Sequence, residues 1–219
     1  MNVSEALERR ISTRAFTDEP VPTEIILRAL RMAGRAPSGA NLQPWRVYVL
    51  NGEKMAAFKK VMAERALGRP DPPEYPVYPE NLGEPYRTHL FQVGEDMYGL
   101  MDIRRDEKPK RWDWFRRNFQ FFGAPAAVFL YVDRQLGAAQ WADCGMFLQS
   151  LMLALCELGL ETCPQEAWSH YPKAVGDLTG APPELMLFCG LAIGHGDPDH
   201  PVNSLRARRM PLEDWVVET

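Results

Sequence analysis

The chain carries no excess of positive charge: 25 Lys and Arg residues stand against 29 Asp and Glu residues, which gives a formal net charge of -4. A protein that binds a polyanion needs a clustered cationic surface, so this balance argues against nucleic acid or an anionic membrane as partner. A small-molecule partner is expected instead. At 219 residues a chain buries about 70% of the surface that its unfolded form exposes, enough for a single domain over residues 1–219.

Cysteine is scarce, and Cys144, Cys156, Cys163 and Cys189 show no C-x-x-C spacing. Three of them lie in strongly apolar runs, which is typical of buried free thiols in a reducing compartment. The first residues lack a basic segment followed by an apolar stretch, so no signal peptide is predicted. We therefore expect a cytoplasmic protein.

Motifs of several enzyme classes are missing. There is no G-x-S-x-G elbow, and His170 beside Ser169 does not by itself indicate a nucleophile, so a hydrolase is not predicted. Residues 194–200 begin like a dinucleotide fingerprint but lack its third glycine. The two histidines and two aspartates of that stretch lie on a turn without the fixed spacing of metal ligands, so no metal site is predicted.

Hydrophobic periodicity predicts a mixture of helices and strands without regular βαβ alternation, which favours an α+β fold with a central mixed or antiparallel sheet flanked by helices. Ser4 is the expected cap of the first helix. Gly159 is the expected stop of a long apolar helix. The predicted helices are 4–10, 23–33, 52–66, 87–121 and 138–158, and the predicted strands are 45–50, 126–132 and 185–193.

Two segments stand outside this pattern. Residues 68–86 are rich in proline and tyrosine and are predicted to be irregular. The polar tail ends in the apolar anchor Trp215-Val216-Val217, and a tail of that kind is expected to dock, for example on a partner subunit.

The first candidate binding residues are Arg10, Ser12 and Arg14, which share one short turn after the first helix. Two guanidinium groups and a hydroxyl suit an anion such as phosphate, because Arg donates bidentately to phosphate oxygens. The alternative is a surface turn whose arginines pair with nearby acids such as Glu5 or Asp18.

A second basic cluster, containing Arg206, Arg208 and Arg209, lies near the other end of the sequence. Taken alone it is equally well explained as a solvated surface run. Two such clusters, however distant in sequence, can meet on one phosphate.

Two further segments have the composition of binding loops. Residues 36–45, APSGANLQPW, are small or carry amides, which lets the backbone approach a flat ligand, although the same residues also form ordinary turns. Residues 159–168 run from a helix end through an extended piece to Glu166. That single acid is either an acid/base group or a cap or solvated carboxylate.

These four segments, in this order, resemble the nitroreductase family of FMN-dependent enzymes. The family pattern has R-x-S-x-[RK] near the start and P-S-[SG]-x-N-x-Q-P-W after the second helix. It continues with G-L-x-x-x-P-x-x in a late loop and basic residues near the end. The second motif is nearly complete here, and the likeness extends over nearly the whole chain.

The resemblance implies that Arg10, Arg206 and Arg209 bind the FMN phosphate, with Arg208 as a substitute for either neighbour in the second cluster. Ser12 would contact the ribityl-phosphate region. Arg14 would lie at the pyrimidine edge of the flavin, where a cation stabilises the negative charge of the reduced ring.

The resemblance further implies that Pro37, Ser38, Gly39 and Asn41 contact the flavin from a neighbouring subunit. Pro164, Gln165 and Glu166 would line the ring, with a backbone N–H near Glu166 facing N5. Asn118 would be the mid-chain amide that contacts the pyrimidine. The implied cofactor-binding residues are Arg10, Ile11, Ser12, Arg14, Pro37, Ser38, Gly39, Asn41, Asn118, Pro164, Gln165, Glu166, Arg206 and Arg209.

The implied protein is a homodimer with exchanged terminal segments that passes hydride from NADH or NADPH, through FMN, to a nitroaromatic or quinone in a ping-pong reaction. No side chain acts as a dedicated acid or base. Two alternatives stay open: a specialised flavoenzyme of the same fold, for reductive dehalogenation or flavin cleavage, and a flavin-binding protein without turnover. The long 68–122 segment, absent from smaller members, carries aromatics that either cover the flavin or pack in the core.

Overall fold

A computed structural model describes all 219 residues. Four strands form one sheet in the order β1-β2-β4-β3, and every neighbouring pair is antiparallel. The strands are β1 (Trp45–Asn51), β2 (Ala126–Asp133), β3 (Glu161–Gln165) and β4 (Leu185–Gly194). The predicted α+β class is confirmed, and the sheet is antiparallel rather than mixed, since parallel pairing is limited to one isolated bridge between Ser12 and Thr162.

Helices cover both faces of the sheet. One buried cluster joins the inner side chains of two helices to Val128, Leu130 and Val132 of β2, and a second cluster contains the alternate residues Phe129 and Tyr131. Because both faces are covered, β2 and β4 are apolar almost without interruption. The helices are α1 (Val3–Arg9), α2 (Thr23–Ala33), α3 (Gly52–Arg65), α4 (Tyr86–Leu100), α5 (Lys108–Arg116), α6 (Ala138–Glu157) and α7 (Pro172–Thr179).

The cap of α1 is Asn2, so the prediction of Ser4 was wrong. The Asn2 Oδ1 atom accepts the Glu5 N–H at 2.9 Å, and the Glu5 carboxylate accepts the Asn2 N–H at 3.0 Å. This reciprocal pair is a capping box, which needs an acid or amide three residues after the cap. Glu5 has that spacing from Asn2 and not from Ser4.

The predicted helix over residues 87–121 is two helices, α4 and α5, followed by a 3-10 segment at Arg117–Gly123. Between them Asp102 has a left-handed backbone with φ 52°, and Pro109 lies in the first turn of α5. Proline lacks the N–H that a helix interior uses, but a first turn tolerates it. The proline therefore marks the start of a new helix.

Two short elements were not predicted as such. The extended piece after Gly159 is strand β3, and α7 was missed altogether. Pro172 begins α7, and Gly180 ends it with φ 71°. Gly159 itself has φ 82° just after α6, which confirms it as the stop of that helix.

The remaining expectations for the fold concern an irregular stretch and the thiols. Residues 66–85 contain neither helix nor strand, as predicted for 68–86. All four cysteines are free and buried. None of the helices combines the length and the apolar character that crossing a bilayer requires.

Candidate cofactor site

The basic turn after α1 is fixed between strand β3 and the loop that follows β4. The Thr13 N–H donates to the Thr162 carbonyl at 2.9 Å on one side. On the other side the Asp197 N–H donates to the Ala15 carbonyl at 3.0 Å, and the Thr17 N–H donates to the His195 carbonyl at 2.9 Å. The backbone of the turn is thus held at both sides. Of its side chains, Thr13 is buried, and the Arg14 Nη1 atom donates to the Ser12 carbonyl at 3.1 Å.

The two basic clusters predicted from sequence meet in one cleft. Arg10 and Arg206 both line a cavity of about 460 Å³. Ile11, Thr162 and Asn203 also line it. Residues near the two ends of the sequence therefore lie at the same cleft, as they must if both bind one anion.

Three arginines, Arg9, Arg10 and Arg206, line this cleft, and no acid of the chain neutralises Arg10 or Arg206. The Arg206 Nη1 atom donates only to the carbonyls of Asn203 and Leu205, at 3.0 and 3.2 Å. Arg10 and Arg206 take part in no ion pair, and Glu5, one proposed partner, is engaged with Asn2 in the capping box. The carboxylate of Glu161, which also lines the cleft, accepts the Thr13 hydroxyl at 2.6 Å. Unpaired arginines facing one cavity are the donor set that phosphate needs.

The other arginines of the carboxyl-terminal cluster do not line this cleft. Arg208 pairs with Asp96 of α4 at 3.1 Å. Arg209 donates to the carbonyls of Ala207 and Arg208, at 2.8 and 2.9 Å. Within one chain, Arg206 is thus the member of this cluster that faces Arg10.

Asn203 is a residue that the sequence argument missed. Its Oδ1 atom accepts the Arg14 N–H at 2.9 Å, and its Nδ2 atom donates to the carbonyls of Ala15 and Asp197, both at 2.8 Å. One amide therefore joins the basic turn to the loop that carries Arg206. Its sequence signal was an amide just before the second basic cluster.

Asn118 and Gln165 lie together, as a shared site requires. The Gln165 Nε2 atom donates to the backbone carbonyl of Asn118 at 2.8 Å and to its Oδ1 atom at 3.2 Å. The Asn118 Nδ2 atom donates to the Phe115 carbonyl at 2.8 Å. Gln165 is buried, and its Oε1 atom accepts the Trp168 indole N–H at 3.4 Å. Its side chain is thus bonded within the chain at both its nitrogen and its oxygen.

Glu166 follows β3 and is exposed on this chain. Loss of hydration nevertheless raises the pKa of its carboxyl. Burial first, and then the charge of Glu166, raise the pKa of the Tyr78 phenol. Tyr78 is therefore close to Glu166, and the irregular 66–85 segment passes the end of β3.

The aromatics of the 68–122 segment divide into two groups. Trp114, Phe119, Phe121 and Phe122 are buried and belong to the core. A second group is largely exposed, at 53% for Tyr78, 63% for Tyr86 and 55% for Trp112. The core interpretation is thus confirmed for the first group, and cover of the flavin by the second group stays a prediction.

The loop with Pro37, Ser38, Gly39 and Asn41 is not part of the cleft on the same chain. The Gly39 N–H donates to both carboxylate oxygens of buried Asp143 on α6, each at 3.2 Å. Cys156, thirteen residues further along α6, lines the cleft. At 1.5 Å per residue the two places are about 20 Å apart along the helix.

Replacing Asn203 with alanine should lower the free energy of unfolding by about 1–3 kcal/mol, because the Arg14 N–H and the Asp197 carbonyl lose their partner and the Ala15 carbonyl loses one of two. Urea denaturation measures this. Gln135→Ala, which removes an exposed amide, is the matched control. An Asn203→Ala variant as stable as the parent would show that the amide does not join the two segments.

Comparison with known proteins tests the expected family. The model of the nitroreductase family matches residues 7–195. A chloronitrobenzene nitroreductase of Comamonas testosteroni is 34% identical over 217 residues, with 98% of this chain and 96% of the relative covered. A 4-nitrobenzoate reductase of Pseudomonas putida is 34% identical over 202 residues, covering 91% and 88%.

Among solved structures, the FMN and NADPH-dependent nitroreductase NfnB of a Sphigopyxis strain superposes with a TM-score of 0.96. It is 44% identical, and the match covers 100% of this chain and 99% of that one. The family expected from the four sequence motifs is therefore confirmed: the chain belongs to the nitroreductase family.

Proposed function

We propose that the protein is an FMN-dependent oxidoreductase that reduces nitroaromatic or quinone acceptors with NADH or NADPH in the cytoplasm. The observation that carries this proposal is the convergence of unpaired Arg10 and Arg206 on one cleft beside β3. The relatives that act on nitroarenes support the acceptor class. The four free, buried thiols support a reducing compartment.

Arg10 and Arg206 fit the phosphate of FMN, and Ile11 and Ser12 follow Arg10 on the same turn. We assign Arg14 to the pyrimidine edge and Asn118 to the same side of the ring. Pro164, Gln165 and Glu166 would line the ring through their backbone, since the Gln165 side chain is already bonded within the chain. Arg209 would need to rearrange to reach the phosphate, because it does not line the cleft of a single chain.

When bound, FMN supplies the hydride-transfer chemistry between a nicotinamide and an acceptor. The chain supplies binding and orientation, and donor and acceptor would occupy the same face in turn. A carboxyl such as Glu166, with a raised pKa, is neutral over a wider pH range than an ordinary Glu.

A second copy of the chain would complete the site. Pro37, Ser38, Gly39 and Asn41 lie about 20 Å along α6 from the cleft of their own chain, so in a homodimer they serve the partner's flavin. The 68–122 segment, with its exposed aromatics, would then cover the ring.

The carboxyl-terminal tail supports an exchange of terminal segments between two copies. Every residue from Arg206 to Thr219 is exposed, and Trp215 and Val217 are exposed by 63% and 82%. β1 is an edge strand, and beside it lies a mainly apolar groove of about 440 Å³ that includes Tyr48, Phe58 and Leu178. We assign this groove to the tail of a second copy.

Stopped-flow mixing of the FMN-loaded protein with NADPH tests the function directly. The visible flavin absorbance should bleach within a turnover and return when nitrobenzoate or a quinone is added. A protein that binds FMN but keeps its absorbance is a binder without turnover. Return of the absorbance only with a halogenated aromatic would favour reductive dehalogenation.

Arg10→Ala should weaken FMN binding by about 1.5–3 kcal/mol, the strength of one charge-assisted hydrogen bond. Riboflavin, which lacks the phosphate, should bind equally to the variant and the parent. Quenching of flavin fluorescence measures both affinities. The exposed Arg104, paired with Asp106, provides the control Arg104→Ala. Equal loss of FMN and riboflavin would contradict the phosphate assignment.

Trp215→Glu should convert the dimer to a monomer, because a charge replaces an apolar anchor in the groove of the partner. Light scattering after size exclusion measures the mass. Leu67→Glu is the control, because Leu67 is similarly exposed, at 68%, and lies outside the tail. A Trp215→Glu protein that remains dimeric would exclude the tail as an exchanged segment.

A further inference from the structure

Arg117 is a partly buried arginine that no acid of the chain neutralises. Its neighbours Arg111 and Arg116 pair with Glu95 at 2.5 Å and with Asp113 at 2.9 Å. Arg117 forms no ion pair and no hydrogen bond through its side chain, and lost hydration lowers its pKa. A desolvated cation without a counter-charge is unfavourable unless a ligand supplies one.

Trp114 fixes the position of this guanidinium. The Arg117 Cζ atom lies 4.6 Å from the centre of the Trp114 ring, whose side chain is buried. The Trp114 ring is in turn 5.6 Å from the ring of His200, centre to centre, and His200 lines the cleft of Arg10 and Arg206. Burial, and then the charge of Arg117, lower the pKa of His200, which also places Arg117 near that cleft.

The indole of Trp114 has a donor without an acceptor. The Trp114 indole N–H is buried without any hydrogen-bond partner. Buried donors are normally satisfied, so an unmatched N–H on the ring that carries an unpaired guanidinium indicates a missing acceptor. A phosphate group has several acceptor oxygens and matches the fork of Arg.

The adjacent residue, Asn118, does not provide a free donor for a phosphate. The Asn118 amide donates to the Phe115 carbonyl, and its Oδ1 atom accepts from Gln165. Arg117 is therefore the residue of this segment whose donors are free. The family pattern in the sequence implies Asn118 and does not include Arg117.

We propose that Arg117 is a phosphate-binding residue of the active site, which holds a phosphate ester at the Trp114–His200 side of the cleft. The inference rests on the proposed function, since it assigns the cleft to a flavin enzyme. Two sources share this chemistry, the phosphate of FMN and the phosphates of the nicotinamide donor. His200, whose ring lies next to Trp114, lines the cleft of Arg10 and Arg206, and this proximity favours FMN.

The test uses Arg117→Met, which keeps an unbranched stem over Trp114 and removes the charge, and Arg117→Lys, which restores a charge. Fluorescence titration gives the dissociation constants for FMN and riboflavin. Arg117→Met should weaken FMN by about 10- to 100-fold, as expected for one charge-assisted contact, with riboflavin unchanged. Arg117→Lys should recover part of the affinity.

A second set of measurements tests whether Arg117 binds a phosphate of the nicotinamide donor. If Arg117 binds its phosphate, Arg117→Met leaves FMN affinity unchanged and raises KM for NADPH about 10- to 100-fold. KM for reduced nicotinamide mononucleotide and NADH then shows which phosphate is involved. Arg105→Ala is the matched control, because Arg105 also stacks on an aromatic ring, Phe91 at 4.9 Å, but is exposed.

The outcomes are distinct. An Arg117→Met protein that matches the parent in FMN affinity and in every donor KM overturns the inference and leaves the proposed function intact. A parent chain that does not bind FMN overturns the proposed function itself. Equal loss of FMN and riboflavin with an altered circular dichroism spectrum would assign Arg117 a structural role and would also overturn the inference.

Discussion

The candidate site depends on one physical constraint, the attachment of residues 12–17 to the outer edge of β3 on one side and to the loop after β4 on the other. Without that attachment the basic turn would be a mobile terminus, since α1 has a single buried residue, Ala6. Hydrogen bonds from Thr13 to Thr162 and from Asp197 to Ala15 satisfy the turn on both sides. A strand edge that would otherwise be open to other chains is covered at the same time. The same contacts thus serve stability and the ligand cleft.

Helix α6 supports the proposal that a second copy completes the site. Its amino-terminal half holds the Gly39 loop through Asp143, and Cys156 near its other end lines the arginine cleft. A rigid rod of this kind cannot bring its two ends together. If the Gly39 loop and the arginine cleft bind one flavin, as we propose, they therefore come from two copies. The exposed tail and the open edge of β1 favour the same conclusion.

Much of the fold followed from sequence because its signals are local. The apolar runs of β2 and β4, the left-handed glycine after α6 and the irregular proline-rich segment all predict structure from neighbouring residues. What could not be predicted depends on contacts that are distant in sequence. Asn203 bonds to Arg14 across 189 positions, and Gln165 bonds to Asn118 across 47. Periodicity in the sequence cannot indicate such pairs. The motifs therefore predicted which segments form the site, and the structure showed which groups bond to each other.

Position in the fold, rather than the absence of an ion pair, separates Arg10 and Arg206 from the other arginines. Some arginines find acids within the chain, for example Arg111 with Glu95 and Arg208 with Asp96. Others, such as Arg28 and Arg31 on α2, have no ion pair but are exposed to water, which solvates their charge. Arg10 and Arg206 line one cleft, where two like charges repel each other unless an anion lies between them. Their convergence on one cavity therefore indicates the anionic end of the ligand better than their missing ion pairs do.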